Sequence, residues 1–211
     1  NKSIPSSVSE IGESCFYECS SLSTISIPSS VNVIGDGCFY GCSSISTISI
    51  PSSVSEIGYG CFSGCYSLTN LIIDPQNEHY SYEYGAILNK RKGEIVMYLC
   101  GNRRTSYSIP SSISMVGDYC FSECTSLTSI SIPSSVSVIG YQCFCECSSL
   151  STISIPSSIS VIGEGCFGSC TSLSTISIPS TVSKIGNLCF GGCTKLSSIS
   201  IPSSVSMIGD N

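Results

Sequence analysis

Cysteine is the residue type in this sequence with the greatest capacity for chemistry. The 211 residues include sixteen cysteines but only one histidine. Fourteen of the cysteines form seven C-x-x-x-C pairs, and the other two are Cys100 and Cys145. The pairs are Cys15/Cys19, Cys38/Cys42, Cys61/Cys65, Cys120/Cys124, Cys143/Cys147, Cys166/Cys170 and Cys189/Cys193. Thiols at this density could be buried apolar groups, members of disulfides or zinc ligands.

The spacing within each pair favours buried thiols. Residues i and i+4 lie on one face of a helical turn, about 6 Å apart at Cα with nearly parallel Cβ directions, which suits a disulfide poorly. Cysteines stacked between successive repeats would lie near the Cα separation that a disulfide requires, so occasional bridges between repeats stay open. A zinc site is formally admissible at this spacing. Seven identical pairs, each with a phenylalanine after its first cysteine, are more typical of packing.

Cys145 occupies a position that varies among the repeats. Its equivalents form a mixture typical of an outward position, namely Tyr17, Tyr40, Ser63, Ser122, Gly168 and Gly191. We therefore expect an exposed thiol, either a neutral surface substitution or a group with a redox or crosslinking role. No histidine partner for Cys145 is evident, no G-x-S-x-G or phosphate loop is present, and the carboxylates are scattered singly. The sequence predicts a protein that is not an enzyme and has no cofactor, catalytic residue or metal ligand.

The cysteines are carried by a repeat with a period of 23 residues. The period is set by prolines in two runs, Pro5, Pro28 and Pro51, then Pro110, Pro133, Pro156, Pro179 and Pro202. Each unit also contains the spacing L-x-x-I-x-I, and a period of about 20–29 residues with this spacing is the signature of a leucine-rich solenoid. A single coil cannot bury its apolar side, and stacking buries it against both neighbours.

Within a coil, the residue pattern predicts a strand on one side and a helical turn on the other. Leu22, Ile25 and Ile27 fit a short strand of a parallel sheet, which Pro28 ends. Gly35 is expected to form a corner. The run C-F-x-x-C-x-x-I that follows places apolar residues on one face of a short helical turn, with Asp36 where an N-cap would help. The predicted fold class is an α/β solenoid with a parallel sheet on one side and short helical turns on the other.

The pattern L-x-x-I-x-I-P-x-x-V-x-x-I-G-x-x-C-F-x-x-C resembles the leucine-rich repeat of BspA-like surface proteins of bacteria and mucosal protists. That family usually has alanine before the phenylalanine, where this chain has the first cysteine of each pair. The second cysteine matches the family. The resemblance implies a cell-surface or secreted protein that mediates adhesion to host cells, matrix glycoproteins or neighbouring cells. A host matrix or cell-surface glycoprotein is the partner it implies.

One segment interrupts the period. Pro51 and Pro110 are 59 residues apart, where two ordinary coils take 46. The irregular insertion, about residues 74–109, predicts a β-hairpin with strands over 82–88 and 94–99 and a polar turn over 89–93. It concentrates basic and tyrosine side chains, and tyrosine and arginine are frequent interface anchors. The candidate partner-binding residues are Lys90, Arg91, Lys92, Arg103, Arg104, Tyr82 and Tyr84. The alternative is a solvated hairpin tip whose charge prevents aggregation.

Composition limits the classes of partner. Charged residues make up 10% of the chain and the formal net charge is −6, which disfavours a nucleic-acid binder. The longest apolar run, residues 95–100, is far shorter than the ~20 residues that span a bilayer. Both ends cut through a repeat, so we expect residues 1–211 to be a single solenoid within a longer protein. A non-catalytic adhesion module is the leading hypothesis, and a structural stalk or surface-coat spacer is the alternative.

Overall fold

The computed structural model describes residues 2–210, which form two compact units divided between Asn102 and Arg103. Each unit is a β-solenoid built from coils of 23 residues. Every parallel strand pair in both units joins residues 23 apart, for example Lys2 with Ile25 and Val161 with Lys184. The sequence separation between paired residues therefore equals the repeat period.

In the first unit, each regular coil contributes two short strands, and one three-stranded antiparallel segment follows the coils. The strands are β1 (Lys2–Ser3), β2 (Glu10–Ile11), β3 (Ile25–Ser26), β4 (Val33–Ile34), β5 (Thr47–Ile50), β6 (Glu56–Ile57), β7 (Asn70–Ile73), β8 (Tyr80–Glu83), β9 (Ala86–Asn89) and β10 (Glu94–Tyr98). A 3₁₀ helix, Cys100–Asn102, ends the unit. Strands β1 and β3 are paired, as are β5 and β7, while β2, β4 and β6 form a second parallel sheet.

The second unit repeats the same two-strand coil without an antiparallel segment. Its strands are β11 (Ser106–Ser108), β12 (Met115–Val116), β13 (Ser129–Ser131), β14 (Val138–Ile139), β15 (Thr152–Ser154), β16 (Val161–Ile162), β17 (Thr175–Ser177), β18 (Lys184–Ile185) and β19 (Met207–Ile208). Strand β11 pairs with β13, β12 with β14, and β15 with β17. Strands β16, β18 and β19 form a three-stranded sheet. All of these pairs are parallel, as predicted for a solenoid.

The core of each unit consists of columns of identical side chains. Alternate residues of a strand face inward, so in β5 the isoleucines Ile48 and Ile50 are buried while Thr47 and Ser49 are exposed. Phenylalanine rings stack in parallel with centroids 5.3–5.7 Å apart, Phe16 on Phe39 in the first unit and Phe167 on Phe190 in the second. Such aromatic pairs add about 0.5–1.5 kcal/mol each beyond the area they bury.

Serine and threonine hydroxyls join neighbouring coils. The second residue after the proline in five coils donates a hydrogen bond of 2.5–2.9 Å to a backbone carbonyl of the preceding coil. The donors and acceptors are Ser30 to Val8, Ser53 to Val31, Ser158 to Val136, Thr181 to Ile159 and Ser204 to Val182. The serine-rich composition therefore serves the stacking of coils as well as the solvated surface.

The predicted helical turn on the back of each coil is wrong, because residues 2–210 contain no α-helix. The residue before each cysteine of a pair has a left-handed backbone, as in Gly37 (φ 56°) and Gly41 (φ 68°). Left-handed residues at every fourth position prevent a continuous right-handed helix. The N–H groups of Gly37, Phe39 and Gly41 donate to carbonyls of the next coil. The segment is a series of tight turns that pairs with its neighbour.

Two residues near this segment have roles that differ from the prediction. Asp36 does not cap a helix; its Oδ1 accepts a hydrogen bond of 2.7 Å from the N–H of Tyr59 in the next coil. Gly35 is not in the left-handed region, and a Cβ there would lie 2.5 Å from the backbone nitrogen of Glu13. Glycine is needed because two coils approach closely at this point.

The thiols of the C-x-x-x-C pairs in the inner coils are buried, in agreement with the first of the three interpretations of the cysteines. Within residues 2–210, fourteen cysteines are reduced thiols, and Cys100 and Cys124 are disulfide-bonded. Cys15 and Cys19, in the first coil, are exposed. In five coils the thiol of the second cysteine donates to a phenylalanine carbonyl of the preceding coil at 3.0–3.1 Å. These pairs are Cys42 with Phe16, Cys65 with Phe39, Cys147 with Phe121, Cys170 with Phe144 and Cys193 with Phe167.

Candidate functional site

The irregular segment of the first unit is a three-stranded antiparallel meander of β8, β9 and β10. Tyr80 and Glu94 both pair with Asn89, and Glu83 pairs with Ala86. The predicted hairpin corresponds to β9 and β10, and the polar turn predicted over residues 89–93 is found over residues 90–93. The predicted first strand over residues 82–88 is wrong, because a second turn divides it into β8 and β9.

This second turn consists of Tyr84 and Gly85, both with positive φ (54° and 90°). Two left-handed residues between antiparallel strands are the arrangement of a tight two-residue hairpin loop, which favours glycine at its second position. The Tyr84-Gly85 dipeptide was the sequence signal for this turn. Tyr84 is 66% exposed, the most exposed large hydrophobic side chain of the meander.

Asn89 organises the turn at the opposite end of β9. Its Oδ1 accepts hydrogen bonds from the backbone N–H groups of Arg91 at 3.1 Å and Lys92 at 3.2 Å. Gly93 completes the turn with a φ of 59°. Because β9 separates this basic turn from the Tyr84-Gly85 turn, the meander presents Tyr84 and the three basic residues at opposite ends.

The fold uses two of the three basic side chains of this turn. Lys90 Nζ donates a 2.7 Å hydrogen bond to the carbonyl of Asn77. Lys92 Nζ lies 3.8 Å from Oε2 of Glu94, a carboxylate that is 1% exposed. The guanidinium of Arg91 is exposed and has no hydrogen bond or ion pair with residues 2–210. Arg91 is therefore the cation of this turn that is available to a partner.

Asn77 anchors the meander to the regular coil beneath it, a role that the sequence analysis missed. Its side chain is buried, and its Nδ2 donates to the carbonyls of Pro51 and Val54 at 3.0 and 2.9 Å. Its Oδ1 accepts from the backbone of His79 and Tyr80 at 2.9 and 2.8 Å. An amide can satisfy both sides of this junction because it carries donors and an acceptor.

Tyr82, Arg103 and Arg104 complete the predicted set. Tyr82 is half-buried, and its hydroxyl accepts a 3.3 Å hydrogen bond from the Asn102 side chain. Arg103 and Arg104 are exposed and belong to the second unit, where Arg103 has a left-handed backbone (φ 48°).

Cys145 is half-buried, whereas the sequence pattern indicated an exposed thiol. Burial, followed by the nearby carboxylates of Glu146 and Glu123, raises the pKa of Cys145 to about 11. A thiol with this pKa is almost fully protonated at neutral pH and is a weak nucleophile. Its sulfur lies over Gly168 of the next coil, 3.6 Å from where a Cβ at that glycine would be.

Residues 2–210 contain neither a cluster of metal ligands nor a membrane-spanning helix. No group of three or more His, Cys, Asp or Glu side chains there is arranged to hold a metal ion. None of the helical segments in that range has the length and apolarity that crossing a bilayer requires.

A family model decides the identity of the repeat. The model of the BspA-type leucine-rich repeat region matches residues 1–91 and 94–211, in six copies. The chain belongs to the BspA-type leucine-rich repeat family. No curated protein sequence matches it significantly. The expected family is therefore confirmed over nearly the whole chain.

Crystal structures of other leucine-rich repeat proteins share the BspA-type fold of this chain. A leucine-rich cell surface protein from Faecalibacterium prausnitzii is 27% identical over 98% of this chain and 58% of its own, with a TM-score of 0.76. The pneumococcal vaccine antigen PcpA is 21% identical over 99% of this chain and 65% of its own, with a TM-score of 0.78. A leucine-rich repeat protein from Eubacterium ventriosum is 22% identical over 98% and 80%, with a TM-score of 0.58. The chain thus spans less than two thirds of the first two proteins.

Proposed function

We propose that this chain is a non-catalytic protein-binding module displayed at a cell surface. Its role is adhesion to a host matrix protein, a cell-surface glycoprotein or a neighbouring cell. Membership of the BspA-type family supports a repeat scaffold that binds other proteins. The similar structure from Faecalibacterium prausnitzii is that of a cell surface protein, which supports the proposed location.

The observation that carries the proposal is the placement of Tyr84. A tyrosine with a φ of 54° adopts a conformation that costs about 1–2 kcal/mol relative to a right-handed or extended backbone. Its ring is 66% exposed, so the fold gains little burial from it. Strained, exposed aromatic residues cluster at binding sites, where tyrosine is a frequent energetic anchor.

The basic turn at the other end of β9 supplies a second contact point. Arg91 is exposed, and its guanidinium forms no ion pair or hydrogen bond with the described residues. Arginine is enriched among interface anchors because its planar group binds carboxylates with two parallel hydrogen bonds. Tyr84 and Arg91 would engage a partner that spans the length of β9.

The proposal is tested by solid-phase binding of this chain to fibronectin, fibrinogen and cultured epithelial cells. Tyr84→Ser and Arg91→Ser should each weaken saturable binding by about tenfold, the loss typical of an anchor residue. Tyr17→Ser and Lys195→Ser, which alter exposed residues in regular coils, are the matched controls and should bind as the parent chain does. Lys90 is left unchanged because it holds Asn77. Binding that all four variants retain would refute a role for the meander.

The second candidate function is a structural spacer without a ligand of its own. The hydroxyl bonds and phenylalanine columns between coils favour it, because they stiffen each unit without creating a recognition surface. No saturable binding to any of the three targets would support the spacer.

A further inference from the structure

A polar cavity in the first unit, between the regular coils and the meander, has no role in the proposed adhesion. It has a volume of about 360 Å³ and is lined by Glu56 of β6, Tyr80 of β8, Asn89 of β9 and Glu94 of β10, among others. Small-molecule sites have volumes of about 300–1,000 Å³, so the cavity is large enough for one small ligand. The same three strands of the meander that carry the turns also form its wall.

Two side chains in the cavity carry hydrogens with no acceptor. The hydroxyl oxygen of Tyr80, a residue that is 4% exposed, accepts the N–H of Ile57 at 3.0 Å. Its own hydrogen has no acceptor among residues 2–210. The Asn89 side chain accepts two backbone N–H groups through Oδ1, and its amide hydrogens likewise have no acceptor within the described residues. Burial raises the pKa of Tyr80, which keeps its hydroxyl protonated as a donor.

Two carboxylates in the cavity have unused acceptor capacity. Glu94 is 1% exposed, and Oε1 accepts the Tyr59 hydroxyl at 3.0 Å. Its Oε2 has only Lys92 at 3.8 Å, beyond hydrogen-bond distance. The Glu56 side chain forms no hydrogen bond or ion pair with any residue of the 2–210 range. A carboxylate has about four acceptor positions, so both side chains can accept further hydrogen bonds.

Donors and acceptors line the same space, and this combination selects the ligand chemistry. An ammonium or guanidinium group would satisfy Glu56 and Glu94 but would offer no lone pair to Tyr80 or Asn89. An anion would satisfy those donors, but three carboxylates (Asp36, Glu56 and Glu94) and only one cation (Lys92) line the cavity, so the net effect is repulsion. A hydroxyl group both donates and accepts, and neighbouring hydroxyls on one ring can bridge the two kinds of group.

We propose that this cavity binds a neutral saccharide, with Glu56 and Glu94 accepting from its hydroxyls and Tyr80 and Asn89 donating to them. The buried side chains of Ile57 and Val96 also line the cavity and match the apolar C–H face of a pyranose ring. The saccharide proposal does not rest on the proposed adhesion function, because a small ligand can bind this cavity without a protein partner.

The test uses saturation-transfer NMR on the whole chain with glucose, galactose, mannose and N-acetylglucosamine, each titrated separately. Glu56→Ala is the informative variant, because the fold makes no use of that carboxylate. Glu10→Ala is its matched control, since Glu10 occupies the same position in an earlier coil, is exposed and does not line the cavity. We expect at least one sugar to bind, with a Kd about tenfold weaker in Glu56→Ala and unchanged in Glu10→Ala.

A cationic probe, lysine amide, completes the experiment. Sugar binding that lysine amide does not displace agrees with a cavity lined by both donors and acceptors. Three results would overturn the proposal: no sugar binding at millimolar concentration, equal affinity in Glu56→Ala and the parent chain, or binding of lysine amide alone. The adhesion proposal is tested separately, with the Tyr84 and Arg91 variants and protein or cell targets. A failure of sugar binding therefore does not affect the adhesion result, and a failure of adhesion does not affect the sugar result.

Discussion

The two cysteines of each pair have different chemical environments. The thiol of Cys147 is buried and donates to the carbonyl of Phe121 at 3.0 Å, a carbonyl that also accepts the N–H of Cys124. Cys143 is equally buried, but its thiol donates to no acceptor among residues 2–210. The second cysteine is therefore a hydrogen-bond donor between coils, whereas the sulfur of the first faces the backbone N–H of Phe121 and donates no hydrogen bond within the described residues. The usual alanine of the family at the first position agrees with this difference.

Substitution of Cys147 should reveal the hydrogen bond. Cys147→Ala removes the donor and leaves a small cavity, so we expect a loss of about 1–3 kcal/mol in the free energy of unfolding. Cys147→Ser retains a donor and should be the less destabilised of the two variants. Urea unfolding followed by circular dichroism measures both.

The same pair of substitutions at Cys143 should give the opposite order. Serine there would bury a hydroxyl without an acceptor, which costs about 1–3 kcal/mol, so Cys143→Ser should be less stable than Cys143→Ala. An identical order of alanine and serine at the two positions would show that the thiol bond does not contribute.

At the scale of elements, the tight turns on the back of each coil have an unfavourable conformational free energy, because they require left-handed backbone dihedrals. Two residues in every such turn are left-handed, and several of them are not glycine, including Leu188 with a φ of 50°. Leu188 is 51% exposed, so its side chain contributes little burial. Replacing it with glycine should relieve strain at small cost to packing.

We predict that Leu188→Gly raises the free energy of unfolding by about 0.5–1 kcal/mol. The reciprocal change is Gly37→Ala, at an equivalent turn position with a φ of 56°, where an added Cβ would meet its nearest atom at 3.5 Å. This variant has room for the methyl group and should lose about 1 kcal/mol from strain alone. Thermal melts of both variants check the pair; a Leu188→Gly protein that melts below the parent would contradict the strain argument.

The hydroxyl bonds between coils can be tested with adjacent serines. Ser158 Oγ donates to the Val136 carbonyl at 2.5 Å, whereas the side chain of exposed Ser157 forms no hydrogen bond with residues 2–210. Ser158→Ala should cost about 1 kcal/mol, and Ser157→Ala should stay within about 0.5 kcal/mol of the parent. Equal melting temperatures for the two variants would mean that the hydroxyl bond contributes nothing.

The elements were only partly predictable from the sequence. The strand ending at Pro28 and the turn over residues 90–93 follow from local residue preferences, and both are present. The helical turn was wrong because apolar spacing around Cys38 and Cys42 cannot distinguish a helix from left-handed turns that point the same side chains inward. Of the candidate site, the polar turn that carries Arg91 was predicted, whereas the turn that exposes Tyr84 was missed because residues 82–88 were assigned to one strand. The use of Lys90 by Asn77 depends on contacts that no local pattern encodes.

At the scale of the whole molecule, periodicity determines most of the structure. Within each unit, a strict 23-residue period fixes the register of the parallel strand pairs between the described coils, so the solenoid class was predictable without knowledge of any single contact. Stacking then places equivalent residues in columns, which explains the buried thiols of the inner coils. The cavity beside Glu94 was not predictable, because it forms where the period fails.

The central claim is that the coils stack with their thiols inward, and native thiol labelling tests it most directly. Burial raises the pKa of Cys38 and Cys147 to about 12, so these thiols should be both inaccessible and protonated even at pH 9. With maleimide and no reductant, mass spectrometry of the native chain should show rapid labelling at Cys15 and Cys19 and protection of the inner coils. Denaturant should then expose all fourteen reduced thiols. Labelling of all fourteen at one rate in the native chain would contradict the account.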